Sequence, residues 1–139
     1  MKSLPAPQVI LFACVHNAGR SQMAAAWLQR LADPTKVQAI SAGTQPVARV
    51  HPVVVEVMRE VGIELANTTP QRLTEELARQ ADWLITMGCG DECPVVPGRR
   101  RDDWPLPDPN GQPMERVREI RDEIRLRVER LLAESFPPP

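Results

Sequence analysis

The chain has 139 residues, 25% of them charged and 42% hydrophobic, with a formal charge of −1. That is enough material for one compact domain with a single core, and too little for two. The balanced charge excludes recruitment of nucleic acid by bulk electrostatics, and no run approaches the length of a membrane span. The first residues carry an apolar run that breaks at His16 and Asn17 without a small-residue cleavage site, so a cytoplasmic protein without membrane partners is expected. One domain over 1–139 is expected, with flexible ends at 1–7 and 135–139.

In chain order, residues 8–13 (QVILFA) form a continuous apolar run suited to a strand covered on both faces. Ala24, Trp27, Leu28 and Leu31 then follow helical spacing from Ser21 to the break at Asp33-Pro34. Residues 37–42 predict a second strand. Pro52 opens a helix that runs to Val61, with Gly62 placed to end it. Thr74, followed by two Glu, is an N-cap for a short helix. WLITM at 83–87 predicts a third buried strand, and 100–104 a short fourth.

Six prolines between 94 and 113 make the surrounding stretch irregular. The last segment aligns Val117, Ile120, Ile124, Val128 and Leu131 on one face of a long helix, and Phe136 begins a frayed tail. Trp27 and Trp83 are expected in the core. Alternating strands and helices imply an α/β fold, three-layered, with a three- or four-stranded parallel sheet and helices on both faces. In such sheets ligands sit at the carboxyl ends of the strands, the edge that carries Cys14 and Cys89.

The main chemical signal is Cys14-Val15-His16-Asn17-Ala18-Gly19-Arg20-Ser21, between a strand and a helix. Five residues between Cys and Arg let the backbone curl into a ring of inward N–H groups, a nest for a tetrahedral oxyanion at a helix N-terminus. The planar fork of Arg20 holds two oxygens at once. Gly19 is expected to supply a positive or strained φ, with Asn17 the next most tolerant type. The inward field favours Cys14 as a thiolate, and Ser21 donates a hydrogen bond to the sulfur.

Cys89 and Cys93 stand in a Gly-rich segment of a chain with only three cysteines. Zinc would need further ligands from His16, His51 or Cys14, none in paired spacing, so no metal is expected. Two inert thiols are the plainer reading and redox exchange the favoured one. Asp108, braced by Pro107 and Pro109, is a candidate proton donor to a leaving oxygen.

CVHNAGRSQMA, SAGT at 41–44, ITMGCGDECP at 85–94 and DWPLPDPNG at 103–111 together resemble the arsenate reductases built on the low-molecular-weight protein tyrosine phosphatase fold. The similarity runs from residue 8 to about residue 131. It implies Cys14 as nucleophile, Arg20 and the loop 14–21 as oxyanion site, and Asp108 as acid. It further implies Cys89 and Cys93 as thiols that complete a redox cycle with arsenate as substrate, no cofactor, and thioredoxin or another thiol reductant as partner. Two positions depart from the pattern: similar enzymes often space the last two cysteines by six residues rather than three, and a Glu used for potassium in some is Ala25 here. The alternative the resemblance allows is a tyrosine phosphatase working with the same loop, although the chain has no Tyr to grip an aryl substrate.

Overall fold

The computed structural model describes residues 6–89 and 100–137. Its elements are β1 (Gln8–Cys14), α1 (Arg20–Leu31), β2 (Val37–Gly43), α2 (Pro52–Arg59), α3 (Glu75–Gln80), β3 (Trp83–Thr86), β4 (Arg100–Asp103) and α4 (Met114–Ser135). The four strands form one sheet in the order β2-β1-β3-β4, and every neighbouring pair is parallel. β1 therefore lies centrally, with chain crossing to β2 on one side and β3 on the other. That reversal of strand order opens a crevice at the carboxyl end of β1.

The continuous apolar character of β1 reflects burial on both faces. Ile10 and Phe12 face a large cluster with Met23, Leu28, Val54, Met58, Ile120 and Ile124, so α1, α2 and α4 cover that side. Leu11 and Ala13 face a smaller cluster with Ala78, Leu84 and Cys89, covered by α3. The α4 stripe is buried at Val117, Ile120, Ile124 and Val128 as its spacing demands, with Leu131 packed at the margin. Thr74 caps α3 through its side chain, which accepts the Leu77 N–H at 3.0 Å.

Four local expectations change. α2 ends at Arg59, and a turn with Gly62 at φ 79° follows, in which the Ile63 N–H reaches back to the Met58 carbonyl at 3.0 Å. Only glycine adopts that left-handed turn without strain. Trp83 is half-buried at a sheet margin instead of fully enclosed, its indole N–H donating to Gln8 Oε1 at 2.9 Å and Arg100 lying over its ring. α4 continues through Ser135, beyond the expected start of the loose end. Phe136 is held against Trp83, ring centroids 6.1 Å apart, because the half-covered indole offers apolar surface to an aromatic neighbour.

α2 and α4 are clamped by charge as well as by packing. Buried Arg121 donates Nη1 to the Val57 carbonyl (2.8 Å) and to Glu60 Oε1 (2.9 Å), while Arg118 pairs with the same carboxylate. These hydrogen bonds, the Arg118 bonds foremost, hold the Glu60 carboxyl down from 4.5 to about 2. A depressed folded-state value adds stability above the unfolded value that is lost as pH falls from 4.5 toward 2. Glu60→Gln is expected to flatten the acid limb of stability between those pH values, read from urea midpoints at each pH. An unchanged slope would remove this clamp from the acid response.

Candidate active site

The chain from Cys14 to Arg20 curls at the carboxyl end of β1, and its shape is imposed from outside. The Cys14, Val15, His16 and Ala18 carbonyls accept N–H groups from Thr44 (3.1 Å), Gln45 (2.8 Å), Val47 (3.2 Å) and His51 (3.0 Å). The Asn17 carbonyl accepts Gln22 Nε2 at 3.1 Å, and the Gly19 carbonyl accepts the Met23 N–H of α1 at 2.9 Å. With six successive carbonyls engaged on the outside, planar trans peptides turn the N–H groups of the same ring inward. The result is an anion nest backed by the first turn of a twelve-residue helix.

Asn17 takes the left-handed conformation in this ring, at φ 51°. Its side chain is fully buried and oriented by its neighbours: Oδ1 accepts the Gln71 N–H (2.9 Å) and Gln22 Nε2 (3.1 Å), which leaves Nδ2 to donate to Ser21 Oγ at 2.8 Å. Ser21 Oγ, with one lone pair occupied, lies 2.8 Å from Cys14 Sγ, where its hydroxyl can donate to a thiolate or accept from a thiol. A thiolate is the better acceptor for that proton. Gly19, by contrast, has φ −145°, so the expected positive φ is not its role. A Cβ there would lie 2.6 Å from Pro109 Cγ, so glycine is required to let the Asp108-Pro109 loop close over the ring.

Arg20, the first residue of α1, is buried and donates Nη1 to the Leu106 carbonyl at 3.0 Å. Its Nε is buried with no hydrogen-bond partner among the described residues. The guanidinium rests on Gly88, whose φ is 98° and where a Cβ would collide with it. Glycine at 88 is thus a seat for Arg20. Gly88→Ala is expected to displace the guanidinium and weaken phosphate binding by about tenfold or more, measured as phosphate protection of Cys14 from iodoacetamide. Undiminished protection would show that the seat is dispensable.

Asp108 is half-buried, and its Oδ1 accepts the Asn110 N–H at 2.9 Å, which fixes the carboxyl in a tight turn. The contact of Pro109 with Gly19 brings that turn to the rim of the ring. His16 and His51 stand on the same rim, with ring centroids 6.4 Å apart. Cys89 also reaches this edge of the sheet, since the Met87 N–H bonds the Ala13 carbonyl at 2.7 Å and Cys89 Sγ lies 3.8 Å from that same oxygen. Its side chain, however, packs on the α3 face while Cys14 packs on the other. Cys93 lies outside the described residues.

Sequence reasoning missed four contributors: Gly43, His51, Gln22 and Gly88 as a seat. A Cβ on Gly43 would come within 2.8 Å of the Asn17 nitrogen, which explains the glycine in SAGT. Gln22 carried a usable signal, being a polar residue adjacent to the ring on an otherwise apolar helix face. Among the described residues no group of His, Cys, Asp and Glu is arranged to hold a metal ion.

Residues 9–135 match the sequence profile of the low molecular weight phosphotyrosine protein phosphatases. A Halobacterium salinarum protein named "Putative arsenate reductase" is 42% identical over 91% of this chain and 92% of its own. The thioredoxin-dependent arsenate reductase of Corynebacterium glutamicum superposes with a TM-score of 0.80 at 40% identity, covering 93% of this chain and 62% of that longer one. An arsenate reductase solved in its phosphate-binding state superposes at 0.79, with 33% identity over 91% of this chain and 98% of that one. Fold, loop and extent of similarity agree, and the chain belongs to the low molecular weight phosphotyrosine protein phosphatase family, among its arsenate reductases.

Proposed function

We propose that this protein reduces arsenate to arsenite in the cytoplasm, for arsenic detoxification, with Cys14, Cys89 and Cys93 as a thiol relay and thioredoxin or another thiol as reductant. The observation that carries the reading is a second sulfur at the edge occupied by the nucleophile: Cys89 Sγ is 3.8 Å from the carbonyl of Ala13, the residue before Cys14. A hydrolase using the same ring has no need of it.

Dihydrogen arsenate enters the nest formed by residues 14–21, and its oxygens take the inward N–H groups and the unpartnered Arg20 Nε. The Cys14 thiolate forms an S–As bond while Asp108 protonates the departing hydroxyl, which leaves as water. Cys89 thiolate then attacks Cys14 Sγ. The S–As electron pair passes to arsenic, As(V) becomes As(III), arsenite leaves, and a Cys14–Cys89 disulfide remains. Cys93 attacks Cys89 and frees Cys14. The external dithiol supplies the two electrons that reduce the resulting Cys89–Cys93 disulfide. Cys89 is disulfide-bonded in this structure and in that state packs on the α3 face, so the relay requires the reduced residue to reach the Cys14 side.

The phosphatase reading shares the first step only. Trp104, the aromatic nearest the acid loop in sequence, is buried against Phe12 with ring centroids 5.6 Å apart and is not at the mouth of the ring. No helix among the described residues is long and apolar enough to cross a membrane. The test is multiple turnover of arsenate and of p-nitrophenyl phosphate, each with reduced thioredoxin supplied or withheld. Arsenate reduction is expected to stop after about one equivalent without reductant and to continue with it. Brisk aryl phosphate hydrolysis with no arsenite in either condition would establish a phosphatase instead.

A further inference from the structure

Two imidazoles on the rim of the ring take no part in the steps above, and they are the chain's only histidines. His16 lies within the loop, and His51 immediately precedes α2. His51 is tied to the loop through its backbone, donating its N–H to the Ala18 carbonyl at 3.0 Å. A Cβ on Gly19 would lie 3.8 Å from its Cδ2, and Pro109 covers the same glycine. The imidazole is thus half-buried where the anion loop, the start of α2 and the Asp108 turn converge.

Burial is the largest influence on His51 and holds it below the ordinary imidazole range. Asp108, from the loop after β4, works against burial, and His16, from the anion loop and edge-on to the ring, works with it. His51 is accordingly mostly neutral near pH 7 without an added negative charge. A tetrahedral oxyanion inside the ring brings such a charge to the other side of Gly19, and it favours the imidazolium.

We infer that His51 is a positioning residue for charge at this site, taking up one proton from solvent when a tetrahedral oxyanion enters the loop. The inference rests on the anion-binding reading of residues 14–21 proposed above. Its consequence for the reaction is that a positive charge stands beside Asp108 as that carboxyl becomes a carboxylate on giving up its proton. No bond to arsenic is made or broken by His51, and the proton it gains returns to solvent when the product leaves.

The experiment is proton NMR of the two imidazole Cε1–H signals between about pH 5 and 9, with and without saturating sodium sulfate at constant ionic strength. Sulfate keeps a fixed charge over that range, and His16→Gln assigns the signals. The His51 midpoint is expected to move to higher pH by about half a unit or more when sulfate binds. By reciprocity, sulfate affinity should fall about threefold more between pH 6 and 8 in the wild type than in His51→Gln. Coincident His51 titrations with and without bound sulfate would overturn the inference and leave the anion site standing. So would a His51→Gln variant that loses affinity equally at every pH, the mark of a purely structural role. Failure of sulfate to bind the wild type at all would overturn both the anion site and this inference.

Discussion

Cys14→Ser is expected to lower arsenate reduction by at least about 10³-fold while the protein still folds. The ring that surrounds the sulfur has its carbonyls drawn outward by the 44–51 segment, Gln22 and α1, and Ser21 Oγ lies within hydrogen-bond distance of Sγ, the setting proposed here for an anion. A serine hydroxyl keeps its proton in that setting and offers no comparable nucleophile. The fold should tolerate the exchange at a cost of about 1 kcal/mol or less, because Ser21 Oγ remains as a hydrogen-bond partner for a buried hydroxyl at 14. Arsenite production is the kinetic readout and the thermal midpoint the control. Activity near wild type would remove Cys14 from the chemistry. A collapsed thermal midpoint would instead assign the sulfur a packing role.

The loop cysteines separate reduction from hydrolysis. Cys89→Ser is expected to abolish arsenite release while hydrolysis of p-nitrophenyl phosphate, which needs only Cys14, Arg20 and Asp108, persists within about twofold of wild type. Cys93→Ser should behave differently, giving a single burst of arsenite of about one equivalent and then a trapped Cys14–Cys89 disulfide, visible by peptide mapping. Wild-type protein stopped without reductant should show Cys89 joined to Cys93. If both variants turn over arsenate with thioredoxin as wild type does, the relay is wrong, and direct attack of an external thiol on Cys14 takes its place. The burst also probes the reach of reduced Cys89, which in its disulfide-bonded state packs on the α3 face and not on the Cys14 side.

Much of the fold was legible because local pattern and tertiary demand coincide. The apolar run of β1 needs cover on both faces, and the helical stripes of α1 and α4 supply it on one of them. Thr74 and Gly62 mark helix ends by side-chain and backbone chemistry that operate within a few residues. β4 shows where pattern weakens. All four of its residues are exposed, so no alternation of apolar residues announces it, and its pairing with β3 defines it as a strand.

At the site, the candidate reactive residue types are legible in the sequence and the reasons for their neighbours are not. Cys, Arg and Ser at fixed spacing between a strand and a helix mark the candidate oxyanion loop, and the donors from residues 44–51 give it its shape. Gly19 was read as a source of backbone freedom, whereas it makes room for a proline ninety residues later. Gly88 combines both uses of a glycine, a positive φ of 98° and room for Arg20. A missing Cβ records either a conformation or a close approach, and only the second depends on what the rest of the chain brings near.

The sequence by itself determined the α/β alternation and the strand-loop-helix passage that carries Cys14 and Arg20, because each follows from pattern within about ten residues along the chain. The tertiary structure alone decided which way the ring's peptides face, through donors at 44, 45, 47 and 51. It also decided where Arg20 rests, how the Asp108 turn reaches the rim, and that disulfide-bonded Cys89 packs on the opposite face of the sheet from Cys14. Those are long-range pairings, which hydrophobic periodicity and residue spacing do not encode, because they follow from packing of elements far apart in the chain.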